Sequence, residues 1–257
     1  MSKAIIHSEQ GHWILANLGK RVLRPGGKEL TEKLVNTLQI NSKDDVVEFA
    51  PGMGFTADLL LERSPKSYKG IELNEEAADR LQKRINSDSR KVIQASASDT
   101  GLEPASIDKV IGEAMLTMQA DHRKLEIIQE AYRILKPGGF YGIHELGLTP
   151  DNINTEIKKE IQRSLAVSLK VNARPLTQEE WCNLLKEAGF KIKTISLAPM
   201  HLLKPKRVIK DEGIFRTLKI GFNLLRQPKA KKHVLDMRRV FNKHENNMMS
   251  IAIVAEK

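Results

Sequence analysis

Between residues 45 and 146, short β-branched apolar runs alternate with stretches whose apolar positions recur every three to four residues. That is the pattern of a parallel sheet covered by helices on both faces. The runs at 45–50, 68–72, 91–95, 107–112 and 140–145 predict five strands, and helical spacing predicts helices over 56–63, 75–86 and 122–135. The last of these helices meets Lys136-Pro-Gly-Gly139, which stops it and turns the chain into the fifth strand. A doubly wound α/β core follows. Upstream, 29–38 reads as a helix. Downstream, 152–170 reads as a polar helix, and Thr177-Gln-Glu-Glu180 is a capping-box start for a helix that ends at Gly189. Residues 190–197 and 248–255 read as two more strands, with 200–247 inserted between them.

Composition narrows the class only slightly. With 257 residues, 40% of them hydrophobic and 29% charged, the chain is expected to fold as one globular domain without long disorder. Met1 to Gln10 carry no apolar core of a secretory signal, and no uncharged stretch approaches the roughly 20 residues of a spanning helix. A soluble, cytoplasmic protein is therefore expected. Cys182 is the only cysteine and lies beside Trp181 on an amphipathic pattern, which reads as packing. His7, His12 and His201 lack metal-ligand spacing, so no metal is expected.

Charge changes the picture more. Residues 45–150 contain 13 Lys/Arg against 17 Asp/Glu, whereas 200–247 contain 13 against 4. The net charge of +10 thus describes the partner of one late segment. Within it, 210–226 places Ile214, Phe215, Leu218, Phe222 and Leu225 at helical spacing among Lys210, Arg216, Lys219 and Arg226, predicting one amphipathic lid helix. Lys229, Lys231, Lys232, Arg238 and Arg239 follow. Three partners compete with a plain solvated face: an acidic small molecule, an anionic membrane surface along 204–239, and RNA. Nucleic acid is least favoured. The chain has no Asn-Pro-Pro-Tyr type motif, no Pro-Cys nucleophile, and only 5% aromatic residues for base stacking.

The candidate chemistry begins at Gly52-Met-Gly54-Phe-Thr-Ala57, a G-x-G-x-x-A loop between a predicted strand and helix. Glycines there let the backbone approach a nucleotide-like ligand, and the helix start offers free N–H groups. A pyrophosphate would face Glu48 at the end of the first strand; an ammonium or sulfonium would be favoured by it. Glu72, 18 positions after Gly54, suits both ribose hydroxyls of an adenosine and does not choose the cofactor.

Read together, Glu48-Phe-Ala-Pro-Gly-Met-Gly54, Gly70-Ile-Glu72, Ile107-Asp108-Lys-Val110 and Arg133-Ile-Leu-Lys-Pro-Gly-Gly139 resemble the class I S-adenosylmethionine-dependent methyltransferase family, in its small-molecule branch. The resemblance implies a Rossmann-like seven-stranded sheet of order 3-2-1-4-5-7-6 with the last strand antiparallel. It implies S-adenosylmethionine as cofactor and S-adenosylhomocysteine as product. It further assigns cofactor contacts to Glu48, Ala50, Pro51, Gly52, Gly54, Glu72, Leu73, Ser96, Ala97 and Glu113. Two positions depart from the family pattern. Ala50 replaces the first loop glycine, and Ala95-Ser96-Ala97 stands where a Gly followed by Asp or Asn usually holds the adenine, leaving Ser96 or Asp99 to do so.

In a doubly wound sheet the residues just past the fourth and fifth strands face the reacting centre, which singles out Glu113, His144 and Glu145 as catalytic candidates. An unperturbed imidazole, near pKa 6.5, suits a general base, and Glu113 could orient an amine or hydroxyl. All three also read as ordinary loop hydrogen-bonders. Arg24-Pro-Gly-Gly27, through Arg24 and Gly26, reads either as a grip on the cofactor carboxylate or as a loop before a helix.

The expected organisation is a single domain with an N-terminal helical cap (1–44), a cofactor core (45–150), substrate covers (151–176 and 200–247), and a completing helix and hairpin (177–199 and 248–257). The expected activity is methyl transfer to a small, anionic or lipid-like acceptor. A non-catalytic S-adenosylmethionine sensor or membrane-surface protein is the alternative, followed by an RNA methyltransferase and an NAD-dependent oxidoreductase.

Overall fold

The computed structural model describes residues 9–257; the readings made on His7 and the first eight residues lie outside it. Helices α1 (Gly11–Asn17) and α2 (Gly27–Thr37) lead into β1 (Asp45–Phe49), α3 (Phe55–Leu61), β2 (Ser67–Glu72), α4 (Glu75–Ile85) and β3 (Arg90–Gln94). Then come β4 (Ile107–Glu113), α5 (Asp121–Ile134), β5 (Leu135–Leu148), α6 (Thr155–Leu169), β6 (Leu176–Thr177), α7 (Gln178–Glu187) and β7 (Lys191–Pro199). Helices α8 (Pro205–Glu212), α9 (Ile214–Arg226) and α10 (Pro228–Lys243) precede the closing β8 (Met248–Glu256).

The strand order is β3-β2-β1-β4-β5-β8-β7, with β1 to β5 parallel and β8 antiparallel to both β5 and β7. This is the order expected from the sequence once the two-residue β6, which pairs Gly147 and Leu148, is set aside. β5 is buried continuously from Tyr141 to Leu148, as befits a central strand covered on both faces.

Apolar side chains form three large clusters and a small one of Trp13 with Ala77. Val47, Val110, Ile127, Trp181 and Ile253 fill the face under α5 and α7, and Leu34, Val46, Leu60, Ile111 and Val254 fill the face under α2, α3 and α4. A third cluster, with Leu15, Leu148, Ile161, Leu165, Met237 and Phe241, joins α1, α6 and α10 into a cap above the carboxyl end of β5. Within the expected 1–44 segment, Leu15 of α1 and Leu23 after it join this cluster, whereas α2 packs on β5 and β8.

The single lid helix expected over 210–226 is broken. Gly213 takes φ +76° and ψ 164° between α8 and α9, a conformation that costs glycine little. The break lets Asp211 and Glu212 turn inward, where Asp211 accepts from Lys28 N at 3.0 Å and Glu212 accepts from Arg21 N and Val22 N at 2.8 and 2.9 Å. These bonds tie the insertion to the N-terminal segment.

Candidate active site

Leaving β1, the chain reverses at Ala50 (φ +51°), Gly52 (φ +53°) and Gly54 (φ +75°) before entering α3. Gly54 is needed twice over: a Cβ there would stand 2.0 Å from Arg84 Nη2 and 2.5 Å from Leu81 Cδ1, in a backbone region that side chains resist. At Gly52 a Cβ would meet nothing nearer than Ala50 O at 4.0 Å, so this side of the loop faces open space. Glu72, at the end of β2, reaches across to the loop, its Oε2 accepting from Gly52 N and its Oε1 from Asn74 N, each at 2.9 Å. Burial raises the Glu72 pKa against these backbone bonds.

Glu113, the last residue of β4, sits at the centre of a buried polar cluster. Its Oε1 accepts from Thr31 Oγ1 at 2.7 Å and lies 2.8 Å from His144 Nδ1; its Oε2 accepts from Thr56 Oγ1 and lies 3.6 Å from Arg24 Nε. Burial pushes its carboxyl up, but the Arg24 guanidinium, His144 and Thr56 outweigh it and hold the pKa at about 2. The His144 tautomer follows from its other partner. Gly26 N donates to His144 Nε2 at 3.2 Å, so Nε2 carries the lone pair and Nδ1–H donates to Glu113. Arg24 stacks 5.0 Å over the Phe55 ring, and its buried Nε and Nη1 lack a hydrogen-bond partner. Its Nε faces the Glu113 carboxylate, which leaves the Nη1 donor to suit a carboxylate or phosphate.

Glu72, Glu113 and Arg24 line one end of a cavity of about 210 Å³. Ala50, Pro51, Gly52, Glu72, Glu113 and Arg24 border that end. The cavity continues beneath the cap, where its wall is Leu15, Leu146, Val171, Met200, Leu202 and Phe241. Between the two ends stand Met115, Thr117 and Met118, just after β4. His12 and Trp13 of α1 close one side, and burial takes the His12 pKa down to about 4, leaving a neutral imidazole at pH 7.

The methyltransferase-domain family model matches residues 47–143, the span from β1 to β5 that carries this site. Across 97% of this chain and 98% of its own, an uncharacterized protein of Haemophilus influenzae is 34% identical. The chain belongs to the class I S-adenosylmethionine-dependent methyltransferase family. A phosphoethanolamine N-methyltransferase of Plasmodium falciparum is 22% identical to this methyltransferase over 67% of the chain and 63% of its own. The structure of Haemonchus contortus phosphoethanolamine N-methyltransferase 2 in complex with S-adenosylmethionine superposes with a TM-score of 0.71 at 17% identity, covering 96% of this chain and 56% of that one. At such identity the likeness shows a common fold.

The methyltransferase gathers only part of the expected site around the cavity. Arg24, Ala50, Pro51, Gly52, Glu72 and Glu113 line it together. Gly26 lies one shell back, bonded to His144. Glu48 is buried beneath the loop and accepts from Tyr68 OH at 2.6 Å; burial carries its pKa up to about 8, against that hydrogen bond. Leu73 is 72% exposed, Ser96 shares its hydroxyl with Ser98 at 2.9 Å, and neither these two nor Ala97 stands in the cavity wall.

Two catalytic candidates also sit elsewhere than the sequence reading expects. His144 is fully buried with both nitrogens engaged, which removes it from an acceptor's reach. Fully buried Glu145 accepts from the N–H groups of Met115, Leu116 and Thr117 and from Thr117 Oγ1, at 2.7–3.0 Å. It shapes the turn after β4, and the reason both turn inward is that β5 is a central strand. The sequence reading missed Thr31, Thr56 and Met118. Of these, Thr56 had a signal, since it follows the glycine loop by two residues, and Met118 lies just past β4; Thr31 comes from a distant segment.

Proposed function

We propose that this methyltransferase transfers the methyl group of S-adenosylmethionine to a small acceptor with a mainly apolar body, held under the cap. The observation that carries this reading is the continuity of the cavity: its loop end offers carboxylate and guanidinium groups, and its cap end is walled mainly by the aliphatic, thioether and phenyl side chains of Leu15, Leu146, Val171, Met200, Leu202 and Phe241. The residues fit the cofactor. Gly52 leaves room against the loop, Glu72 suits a ribose diol, Leu73, Ser96 and Ala97 just past β2 and β3 suit an adenine, and the Arg24 Nη1 donor suits a carboxylate. S-adenosylmethionine supplies a methyl group on a good leaving group, so the protein's work is alignment.

Glu113 is the group of β4 nearest to that work. Its anionic state holds Arg24 in place, while His144 acts as a positioning residue that fixes Glu113 to Gly26 and thus β4 to the N-terminal segment. Glu145 sets the turn that presents Met115 and Met118 to the cavity. His12 is the histidine among the lining residues, and its neutral ring can hydrogen-bond an acceptor there.

Incubation with methyl-labelled S-adenosylmethionine and separated cell metabolites tests this reading. Label is expected in solvent-extractable, low-polarity material. Label confined to RNA or protein, or cofactor binding with no transfer to any fraction, would contradict it; the second outcome would favour a sensor.

A further inference from the structure

Helix α9 turns its apolar side outward. At 100° per residue, Ile214, Phe215, Leu218, Phe222 and Leu225 fall within one sector of about 100°, and all five are exposed, Phe215 to 90%. The opposite side does the packing. There Ile220 is buried, Asn223 Nδ2 donates to Leu18 O at 2.9 Å, and Arg216 Nη1 donates to Gly19 O at 3.4 Å. A helix that served only to complete the core would be rotated the other way.

Charge says what the stripe faces. Residues 213–235 contain six Lys/Arg and no Asp/Glu. By the same helical count Lys219 and Arg226 border the stripe, and Lys229, Lys231 and Lys232 are exposed on the first turns of α10. An apolar stripe edged with cations is the composition of a helix lying in a membrane interface. We propose that α9 and the start of α10 dock this protein on an anionic lipid bilayer, the stripe entering the acyl boundary and the cations meeting lipid phosphates. A second copy is the weaker occupant, because a two-fold contact through this face would set its five cations, Lys219, Arg226, Lys229, Lys231 and Lys232, against their own equivalents. The docked helix rests on Leu18 and Gly19, between Leu15 and Arg21 of the cavity wall, so the bilayer would lie against the roof of the cavity. The proposal stands on α9 and the start of α10 and holds whatever the acceptor is.

Sedimentation of the full chain with phosphatidylcholine vesicles, with and without phosphatidylglycerol, tests it. The wild type is expected to pellet with the anionic vesicles and to be released by added salt. Phe215→Ser/Phe222→Ser is expected to weaken that binding by more than about tenfold, since two phenyl rings no longer leave water. Lys229→Gln/Lys231→Gln/Lys232→Gln is expected to weaken it without touching the stripe. Both variants should keep wild-type affinity for S-adenosylmethionine, which marks them as folded. No pelleting of the wild type, or equal pelleting of wild type and both variants, would overturn the proposal. So would a wild-type dimer in light scattering that the double Phe variant dissociates while no vesicles are bound, which would assign the stripe to a second copy.

Discussion

Glu113 and Glu48 end up with opposite protonation although both are buried acids on adjacent strands. Glu113 has a guanidinium, an imidazole N–H and two hydroxyls around it, so it is charged; Glu48 has a single phenol and the negative charge of Glu113 nearby, so it holds a proton. The stability consequence can be signed. With a folded pKa of about 8 against roughly 4.3 unfolded, the folded state keeps a proton on Glu48 that the unfolded state has lost, so stability falls as pH rises through that window. Glu48→Gln is expected to flatten this fall, gaining more stability at pH 8.5 than at pH 5 in urea unfolding; an unchanged slope would contradict the assignment. Removing Glu113 acts differently. Glu113→Ala leaves Arg24 buried without its carboxylate and is expected to cost about 3 kcal/mol of unfolding free energy. At this scale the sequence was partly legible: Glu72 and Glu113 were readable from strand ends, but His144 was not, because only the contact with Gly26, far away in the chain, shows that its lone pair is already used.

At the scale of elements the alternation of apolar runs and helical spacing located the strands from β1 to β5 and the hairpin of β7 and β8; burial leaves a near-continuous apolar signature in β1, β5 and β8, whereas β3 and β7, at the sheet's edges, contain no buried residue. What periodicity could not show was direction. The five apolar positions of α9 read as a face turned to the core, and the structure turns them to the outside, since polar contacts through Asn223 and Arg216 fix the helix the other way round. Nor could it show the break at Gly213, which depends on buried Asp211 and Glu212 finding backbone partners. The loop into α3 makes the sharpest claim about an element. Gly54→Ala combines a positive φ with a clash against Arg84 and Leu81, and it is expected to lower stability by more than about 1 kcal/mol in chemical unfolding and to weaken cofactor binding with it.

Across the whole molecule, cap and sheet divide the task. The sheet presents the loop, Glu72 and Glu113 at its carboxyl end; α1, α6 and α10 cluster around Leu15, Leu165 and Phe241 to cover them. No helix among the described residues is long and apolar enough to cross a membrane. The division predicts separable defects. Val171→Phe, which fills the cap end, is expected to leave S-adenosylmethionine affinity near wild type while turnover falls by more than about tenfold; a parallel loss of both would mean that the two ends are not distinct. The most direct test of the account is calorimetric titration of the folded protein with S-adenosylmethionine and S-adenosylhomocysteine, repeated on Glu72→Ala. One site per chain for each ligand, weakened more than about tenfold by the loss of charged hydrogen bonds in Glu72→Ala, is the predicted result. No binding of either ligand by the folded wild type, or NADH binding more tightly than both, would contradict it.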